Sequence, residues 1–245
     1  MKYFGHISSL KNKSTNIDLL TNADVESEKL IIKEILKKFP DHSILSEESG
    51  KIENNSTYEW IIDPLDGTTN FAHNLPIFAV SIALKKNHET ICGVVYNPAA
   101  DRCFYSELNK GAYLNSQRIS VSKNRSLKES LLATGFPYLH DKKYELSFEL
   151  FKEFYDSTRG IRRLGAAALD LCFVAMGRFD GFYEFNLNEW DIAAGALIAS
   201  EAGAKVSDWN GNELPCDGAR VLCTNKYIHG DMAKILTKEK YNIFY

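Results

Sequence analysis

Two acidic side chains follow a short apolar run near residue 60. Residues 58–62 have the composition of a strand, and Asp63 and Asp66 come directly after them. The two acids are therefore predicted to lie at the carboxyl end of a strand beside a turn, which is a typical place for a site. Pro64 fixes φ and holds the loop in a defined shape, while Gly67 permits close backbone approach. A helix opening at Thr68 would offer free amides and a favourable dipole to a phosphate group.

Two further acids stand at the ends of predicted elements. Glu47 follows the strand-like residues 43–45, and Asp191 is predicted to be the N-cap of a helix over residues 192–202. Each acid alone is typical of a solvated loop or a helix cap. If they converge with the pair at 63 and 66, the four carboxyls would raise one another's pKa unless cations neutralised them. Histidine and cysteine are absent from these segments, so the ligand set favours Mg²⁺ over zinc.

The string Asp66-Gly67-Thr68 also resembles part of the D-x-D-G-T motif of the haloacid dehalogenase class, in which an aspartate is the nucleophile. That motif places two acids at i and i+2, on one side of an extended strand. Here Asp63 and Asp66 are three residues apart, with Pro64 between them. The spacing favours a metal-activated water as the nucleophile over an aspartyl intermediate.

The composition of the 245 residues is that of an ordinary globular protein, with 44% hydrophobic and 25% charged residues. A net charge of -3 gives no general attraction for nucleic acid or an anionic membrane, and no run approaches the ~20 apolar residues of a membrane span. The five cysteines form no C-x-x-C motif, so small buried free thiols are expected. We therefore expect a cytoplasmic protein with neither a nucleic-acid nor a membrane partner.

Strands and helices alternate along the chain. A first helix is predicted over residues 25–38 with Asp24 at its N-cap, followed by strands at 78–84 and 91–96. In the second half, helices are predicted at 144–155, 166–176, 192–202 and 228–236, and short strands at 179–184, 204–208 and 220–223. The pattern predicts an α/β (α+β) protein with two closely packed subdomains, residues 1–130 and 131–245.

Several segments resemble the inositol monophosphatase family in order and spacing. They are Lys13 and residues 18–24, 46–49, 60–71 and 189–195, and residues 162–171 resemble the bacterial members. The resemblance implies a layered α-β-α-β-α sandwich. It also implies that the ligands of up to three Mg²⁺ ions are Glu47, Asp63, the Leu65 carbonyl, Asp66 and Asp191.

The same resemblance implies roles in catalysis and in substrate binding. Thr68, Asp24 and Glu47 would activate the attacking water. The substrate contacts would be the amides of Gly67 and Thr68 for phosphate, Glu184 for a hydroxyl, and Ala167, Asp66 and Asp191 around the same pocket.

The function implied is hydrolysis of a small phosphate monoester, inositol monophosphate first, with sensitivity to Li⁺ and a homodimeric assembly. Relatives hydrolyse fructose 1,6-bisphosphate, nucleoside bisphosphates, histidinol phosphate or NADP, and the motifs found here do not choose among these substrates. Some bacterial relatives associate with the transcription machinery, which leaves a binding or regulatory role as the alternative of another class. The family usually begins with a longer helix than residues 1–10 can supply.

Overall fold

Two β-sheets form the framework of the protein. The computed structural model describes residues 1–6, 10–12, 19–139, 141–214 and 220–244. The described strands are β1 (Leu10–Asn12), β2 (Leu19–Thr21), β3 (Ser43–Ser46), β4 (Gly50–Ile52), β5 (Tyr58–Asp66), β6 (Ala79–Lys86), β7 (Glu89–Asn97), β8 (Arg102–Glu107), β9 (Ala112–Leu114), β10 (Gln117–Arg118), β11 (Leu131–Thr134), β12 (Gly160–Arg162), β13 (Gly181–Phe185), β14 (Lys205–Ser207) and β15 (Arg220–Thr224). The described helices are α1 (Asn22–Lys38), α2 (Thr68–Ala72), α3 (Lys142–Ser157), α4 (Ala167–Ala175), α5 (Glu189–Glu201) and α6 (His229–Leu236), with 3₁₀ turns at Leu127–Glu129 and Glu239–Phe244.

The larger sheet has the strand order β10-β9-β8-β7-β6-β5-β3-β4, and the smaller one has the order β12-β11-β13-β15-β14. From β5 to β10 each strand pairs antiparallel with the next, whereas β3 runs parallel to β5. In the smaller sheet β11 runs parallel to β12 and β13. The carboxyl ends of β3 and β5 therefore meet at one edge of the larger sheet.

Alternating side chains on the strands place helices on both faces of each sheet. Ile62 on β5 packs with Ile35 of α1, while its neighbour Ile61 belongs to the core shared with α4 and α5. In the smaller sheet Phe182 joins that same middle core, and Tyr183 packs with the residues of α3 and α6 on the opposite face. The layers run α1, larger sheet, α4 and α5, smaller sheet, α3 and α6. This order confirms the predicted α-β-α-β-α sandwich.

The middle layer packs unusually close to the larger sheet where α5 crosses β7. A Cβ atom on Gly93 would lie 3.0 Å from both the Cα and the carbonyl oxygen of Ala194. Glycine at this position lets the helix backbone rest against the strand. The close approach fixes the depth at which α5 enters the space between the sheets.

Helix starts were predicted less well than helix positions. The expectation that Asp24 caps α1 is wrong: α1 begins at Asn22, Thr21 is the N-cap, and Asp24 is the third helical residue, closing a capping box. The expectation that Asp191 is an N-cap is wrong for the same reason, since α5 begins at Glu189 after Asn188. In both cases an acid at the third helical position reaches back to the cap, a pattern that resembles a capping acid in sequence.

The strand predicted over residues 58–62 is longer than expected, because β5 continues to Asp66 and the turn follows at Gly67. The sequence patterns predicted none of β1, β2, β4, β8, β9, β10, β11 and β12, and the boundaries of the predicted elements differ by a few residues from those expected. Cys172 and Cys223 are buried, and Cys92 and Cys103 are half-buried, all as free thiols. Lys13, Asp18 and Cys216 lie outside the described residues. The division of the chain near residue 130 stays a prediction.

None of the described helices combines the length and apolar character needed to cross a membrane.

Candidate active site

The predicted site residues line one cavity of about 450 Å³. They come from the turn after β3, from β5 and α2, and from α4, β13 and α5, so both sheets contribute to the walls. The predicted residues on the wall are Glu47, Asp63, Leu65, Asp66, Gly67, Thr68, Ala167, Glu184 and Asp191. Asp24 lies behind this wall and reaches it through Thr68.

A β-bulge in β5 explains how two acids three residues apart reach the same cavity. Asp63 pairs with Ser81 of β6 and Asp66 pairs with Ala79, so Pro64 and Leu65 together stand opposite a single residue. In a regular strand, positions i and i+3 point to opposite faces. The extra residue restores both carboxyls to one side, and the Leu65 amide donates to Asp63 Oδ1 at 2.9 Å.

Thr68 is held between two acceptors at the start of α2. Its Oγ1 lies 3.0 Å from Asp24 Oδ1 and 3.0 Å from the Leu65 carbonyl oxygen. Asp24 is fully buried, and its Oδ2 accepts from the backbone amide of Thr21 at 2.8 Å and from the Thr21 hydroxyl at 2.5 Å. Asp24 therefore has a fixed orientation, with one oxygen aimed at the threonine hydroxyl.

Gly67 precedes this helix with a φ of 89°, in the left-handed region that favours glycine. A Cβ atom there would also lie 2.9 Å from the Ile77 carbonyl oxygen. The sequence expectation of a helix opening at Thr68 is thus met, and glycine is required at the residue before it.

Asp66 joins the larger sheet to the middle layer. The residue before α4, Ala166, has no side chain that can cap the helix, and the amide of Ala168 donates to Asp66 Oδ2 at 2.9 Å. The carboxyl of a distant strand thus caps this helix. The position of the Asp66 carboxyl therefore depends on the packing of α4 against the larger sheet as well as on β5.

The opposite wall of the cavity is formed by β13 and α5. Asp191 Oδ2 accepts from the Asn188 amide at 2.6 Å, and one residue earlier in the same turn Trp190 lines the cavity. Beneath that turn a buried ion pair joins Lys85 of β6 to Glu189. Glu184 is seated against Gly135, where any Cβ atom would overlap its carboxyl group.

Comparison with known proteins assigns this arrangement to a family. The model of the inositol monophosphatase family matches residues 2–241. The chain belongs to the inositol monophosphatase family. Its members are phosphatases, so the chain is a phosphoric monoester hydrolase.

Individual relatives are similar over most of their length. An inositol-1-monophosphatase from Synechocystis is 42% identical over 95% of this chain and 82% of that protein. A protein named Nus factor SuhB from Pasteurella multocida is 46% identical over 81% of this chain and 74% of that one. Among solved structures, the extragenic suppressor protein suhB from Bartonella henselae superposes with a TM-score of 0.92 at 39% identity, covering 97% and 92% of the two chains. An IMPase from Thermotoga maritima superposes with a TM-score of 0.89 at 37% sequence identity, and the match covers 96% of this chain and 90% of that one.

Burial and mutual repulsion dominate the electrostatics of this family member's cavity. Burial, with the neighbouring charges of Glu47, Asp66 and Asp191 after it, raises the pKa of Asp63 well above its ordinary value. Burial likewise raises the pKa of Asp66 to about 7, although the Ala168 amide opposes the shift. The pKa of Asp191 rises to about 8 through burial, with Asp66 and Glu47 adding to the effect.

The donor set fits a hard cation. It consists of four carboxyls and the Leu65 carbonyl oxygen, all oxygen atoms, which suit Mg²⁺. Within the described ranges, no group of three or more acidic, histidine or cysteine side chains lies close enough together to hold a metal ion. A divalent cation would offset both the burial and the mutual repulsion that raise the pKa values of Asp63, Asp66 and Asp191.

Sequence reasoning missed part of the wall and all of the support behind it. The cavity is also lined by Phe136, Tyr138 and Asn186, which stand in no motif, and by Arg163, which lies in the family-like segment 162–171 but was assigned no role. Glu28 was predicted in the first turn of the helix over residues 25–38 and was assigned no role; it is 5% exposed on the second turn of α1. Its spacing of four residues from Asp24, on one helical face, is the signal that could have found it.

Proposed function

We propose that this chain hydrolyses small phosphate monoesters with Mg²⁺, and that inositol monophosphate is its first candidate substrate. The observation that carries the proposal is the meeting of four carboxyls with the pair formed by Asp24 and Thr68 at one cavity. We assign the Mg²⁺ ligands to Glu47, Asp63, Asp66, Asp191 and the Leu65 carbonyl. When bound, the cation supplies positive charge that polarises the phosphoryl group and lowers the pKa of the attacking water.

In this proposal Asp24 and Thr68 orient and deprotonate the water. A hydroxyl has one proton, so Thr68 can donate either to Asp24 or to the Leu65 carbonyl at a given moment. When it donates to Asp24, its lone pairs are free to accept from a water in the cavity. Glu47 faces the same space and is assigned the second acceptor for that water's proton.

The substrate is assigned to the space between α2 and β13. The amides of Gly67 and Thr68 stand at the start of α2, where backbone N–H groups have no intrahelical acceptor and suit phosphate oxygens. Burial raises the pKa of Glu184 to about 8, and Arg163 opposes the shift, so near neutral pH this side chain can either donate a hydrogen bond to a substrate hydroxyl or accept one from it. Ala167 leaves room beside it.

A substrate panel with purified protein tests the proposal. The panel contains inositol monophosphate, fructose 1,6-bisphosphate, a nucleoside bisphosphate, histidinol phosphate and NADP, each with a Mg²⁺ titration and a parallel Li⁺ titration. We expect phosphate release that requires Mg²⁺, is highest for inositol monophosphate and falls with Li⁺. Release from none of the five at any Mg²⁺ concentration would remove the proposal, and a different best substrate would replace inositol monophosphate. Light scattering on the same sample tests the expected homodimer.

A second role is favoured by one observation, the name Nus factor SuhB of the similar Pasteurella protein. Under this alternative the chain binds the transcription machinery, and catalysis is not required. An Asp66→Asn variant that releases no phosphate but restores growth to a strain lacking the gene would support it. Loss of both properties together would support the phosphatase alone.

A further inference from the structure

The turn that carries Glu47 is attached to α1 by a single buried side chain. Glu28 Oε1 accepts hydrogen bonds from the Ser46 hydroxyl, from the Glu48 amide at 3.1 Å and from the Ser49 amide at 3.1 Å. The carboxyl is 5% exposed, so water cannot replace these partners without opening the structure. Three donors from both sides of Glu47 thus end on one oxygen atom.

Glu47 itself is fixed to the neighbouring strand. Its amide donates to the carbonyl oxygen of Ile62 at 3.1 Å, and Ile62 directly precedes Asp63. The residues before and after Glu47 are held by Glu28, while its own backbone is held by β5. The position of the Glu47 carboxyl relative to Asp63 therefore depends on two attachments, the one to β5 through Ile62 and the one to α1 through Glu28.

The same part of α1 holds two more pieces of the cavity wall. Asp24, one turn before Glu28, orients Thr68, and the Ser27 hydroxyl donates to the Pro64 carbonyl at 3.0 Å, inside the bulge. Helix α1 packs on β5 through Ile35 and Ile62, which sets its distance from the sheet. Helix α1 is thus one rigid element that contacts the β3 turn, the bulge and α2, and it fixes their positions relative to one another.

We propose that Glu28 is a positioning residue for the cation site, holding Glu47 at the separation from Asp63 that binding requires, without touching cation or substrate. The inference rests on the function proposed above. A carboxyl oxygen suits three converging donors because a charged acceptor forms stronger hydrogen bonds than a neutral amide does. Partners of this kind behind metal ligands typically change metal affinity or activity by about 10- to 100-fold when they are replaced.

The test compares Glu28→Gln and Glu28→Ala with Glu34→Gln, a matched control at an exposed position of the same helix. Calorimetric titration with MgCl₂ alone measures affinity, and the phosphatase assay measures the half-saturating Mg²⁺ and kcat. We expect Glu28→Gln to weaken Mg²⁺ binding about 10-fold and Glu28→Ala up to about 100-fold, with Glu34→Gln unchanged. In Glu28→Gln, kcat should return to within about twofold of wild type at saturating Mg²⁺, because the ligands themselves are intact.

A change in Mg²⁺ affinity without a change in kcat distinguishes a positioning role from a role in folding alone. A variant that merely unfolds in part would lower kcat at every Mg²⁺ concentration and leave the half-saturating concentration unchanged, and that result would overturn the inference. If Glu28→Ala does not fold, Glu28→Gln and Ser46→Ala carry the test, with melting temperatures measured in EDTA. Unchanged Mg²⁺ affinity in Glu28→Gln overturns the inference alone, whereas a wild-type protein that neither binds Mg²⁺ nor releases phosphate overturns the proposed function as well.

Discussion

The acids buried behind the two walls of the candidate active site differ in their hydrogen bonding. On the side of α1, the buried acids end on identified donors: Asp24 accepts from Thr21 and Thr68, and Glu28 accepts from the β3 turn. On the side of α4 and α5, Asp170 is 1% exposed and its Oδ1 has no hydrogen-bond partner among the described residues. Burial, then the charges of Glu184 and Asp66, raises its pKa well above the ordinary value.

This difference predicts that variants on one side change the geometry of the site, whereas variants on the other side change the charge state of a buried carboxyl. Hydrogen bonds to specific atoms fix where Glu47, Asp63 and Thr68 stand, so replacing a partner on the α1 side should change position and affinity. Exclusion of water dominates the environment of Asp170 and Glu184, so replacing a group on the α5 side should change stability and its dependence on pH. Four variants test this division, in order of expected effect.

The largest effect is expected at Asp63, on the α1 side. Asp63→Asn keeps the shape but removes the charge that a cation needs, and we expect phosphatase activity to fall on the order of 1,000-fold, since bound metals supply several kcal/mol to such reactions. Initial rates at saturating Mg²⁺ measure it. Asp156→Asn, at an exposed ion pair on α3, is the control and should keep full activity. A loss of phosphatase activity smaller than about 10-fold would show that Asp63 is not a ligand.

Next comes the ion pair under α5. Lys85 and Glu189 are 6% and 17% exposed, so Lys85→Met leaves a poorly hydrated carboxyl, and we expect a loss of about 3 kcal/mol in the free energy of unfolding. Urea unfolding measures it. The double variant Lys85→Met/Glu189→Gln should recover part of that loss. Lys152→Met, in an exposed pair, should cost less than about 1 kcal/mol. Equal losses in the two lysine variants would contradict the role of burial.

Thr68 tests the α1 side without touching a carboxyl. Thr68→Val preserves shape and removes the hydroxyl between Asp24 and the Leu65 carbonyl, and we expect kcat to fall about 100-fold, the usual scale for a proton-transfer group. Thr68→Ser keeps the hydroxyl and should retain most activity. The measurement is kcat at saturating Mg²⁺ and substrate. Equal kcat values for Val and Ser at this position would show that the hydroxyl takes no part in the reaction.

The smallest effect is a change in pH dependence at Asp170. Below the unfolded pKa near ~3.9 both states hold the proton. As the pH rises above that value, the unfolded chain releases the proton before the folded one does, so the folded state loses stability. Asp170→Asn removes this loss. The melting temperature of the variant should exceed that of wild type, by more at pH 8 than at pH 5.

Asp180 provides the matched comparison for that measurement. It is also buried, but it accepts from the Leu131 amide at 2.9 Å and from Ser122, so Asp180→Asn should lower the melting temperature at both pH values. A gain at Asp170 that does not grow with pH would contradict the assignment of its stability cost to ionisation.

The local sequence was informative where one rule decides the structure. Three such patterns each predict an element that the structure contains. They are the alternation of Ile61 and Ile62, the helical spacing of Ile31, Ile32 and Ile35, and the placement of Gly67 before Thr68. Helix starts failed at Asp24 and Asp191 because a third-position acid and a capping acid have the same neighbours in sequence.

The sequence by itself indicated the family and the layered fold, and it predicted which acids would form the site. Only the tertiary structure decided how those acids are placed. The bulge that returns Asp66 to the side of Asp63, the capping of α4 by Asp66 and the attachment of the Glu47 turn to Glu28 all join residues that are distant in sequence or depend on strand register. Local patterns carry period and propensity, whereas register and hydrogen bonds between elements are set only when the layers pack.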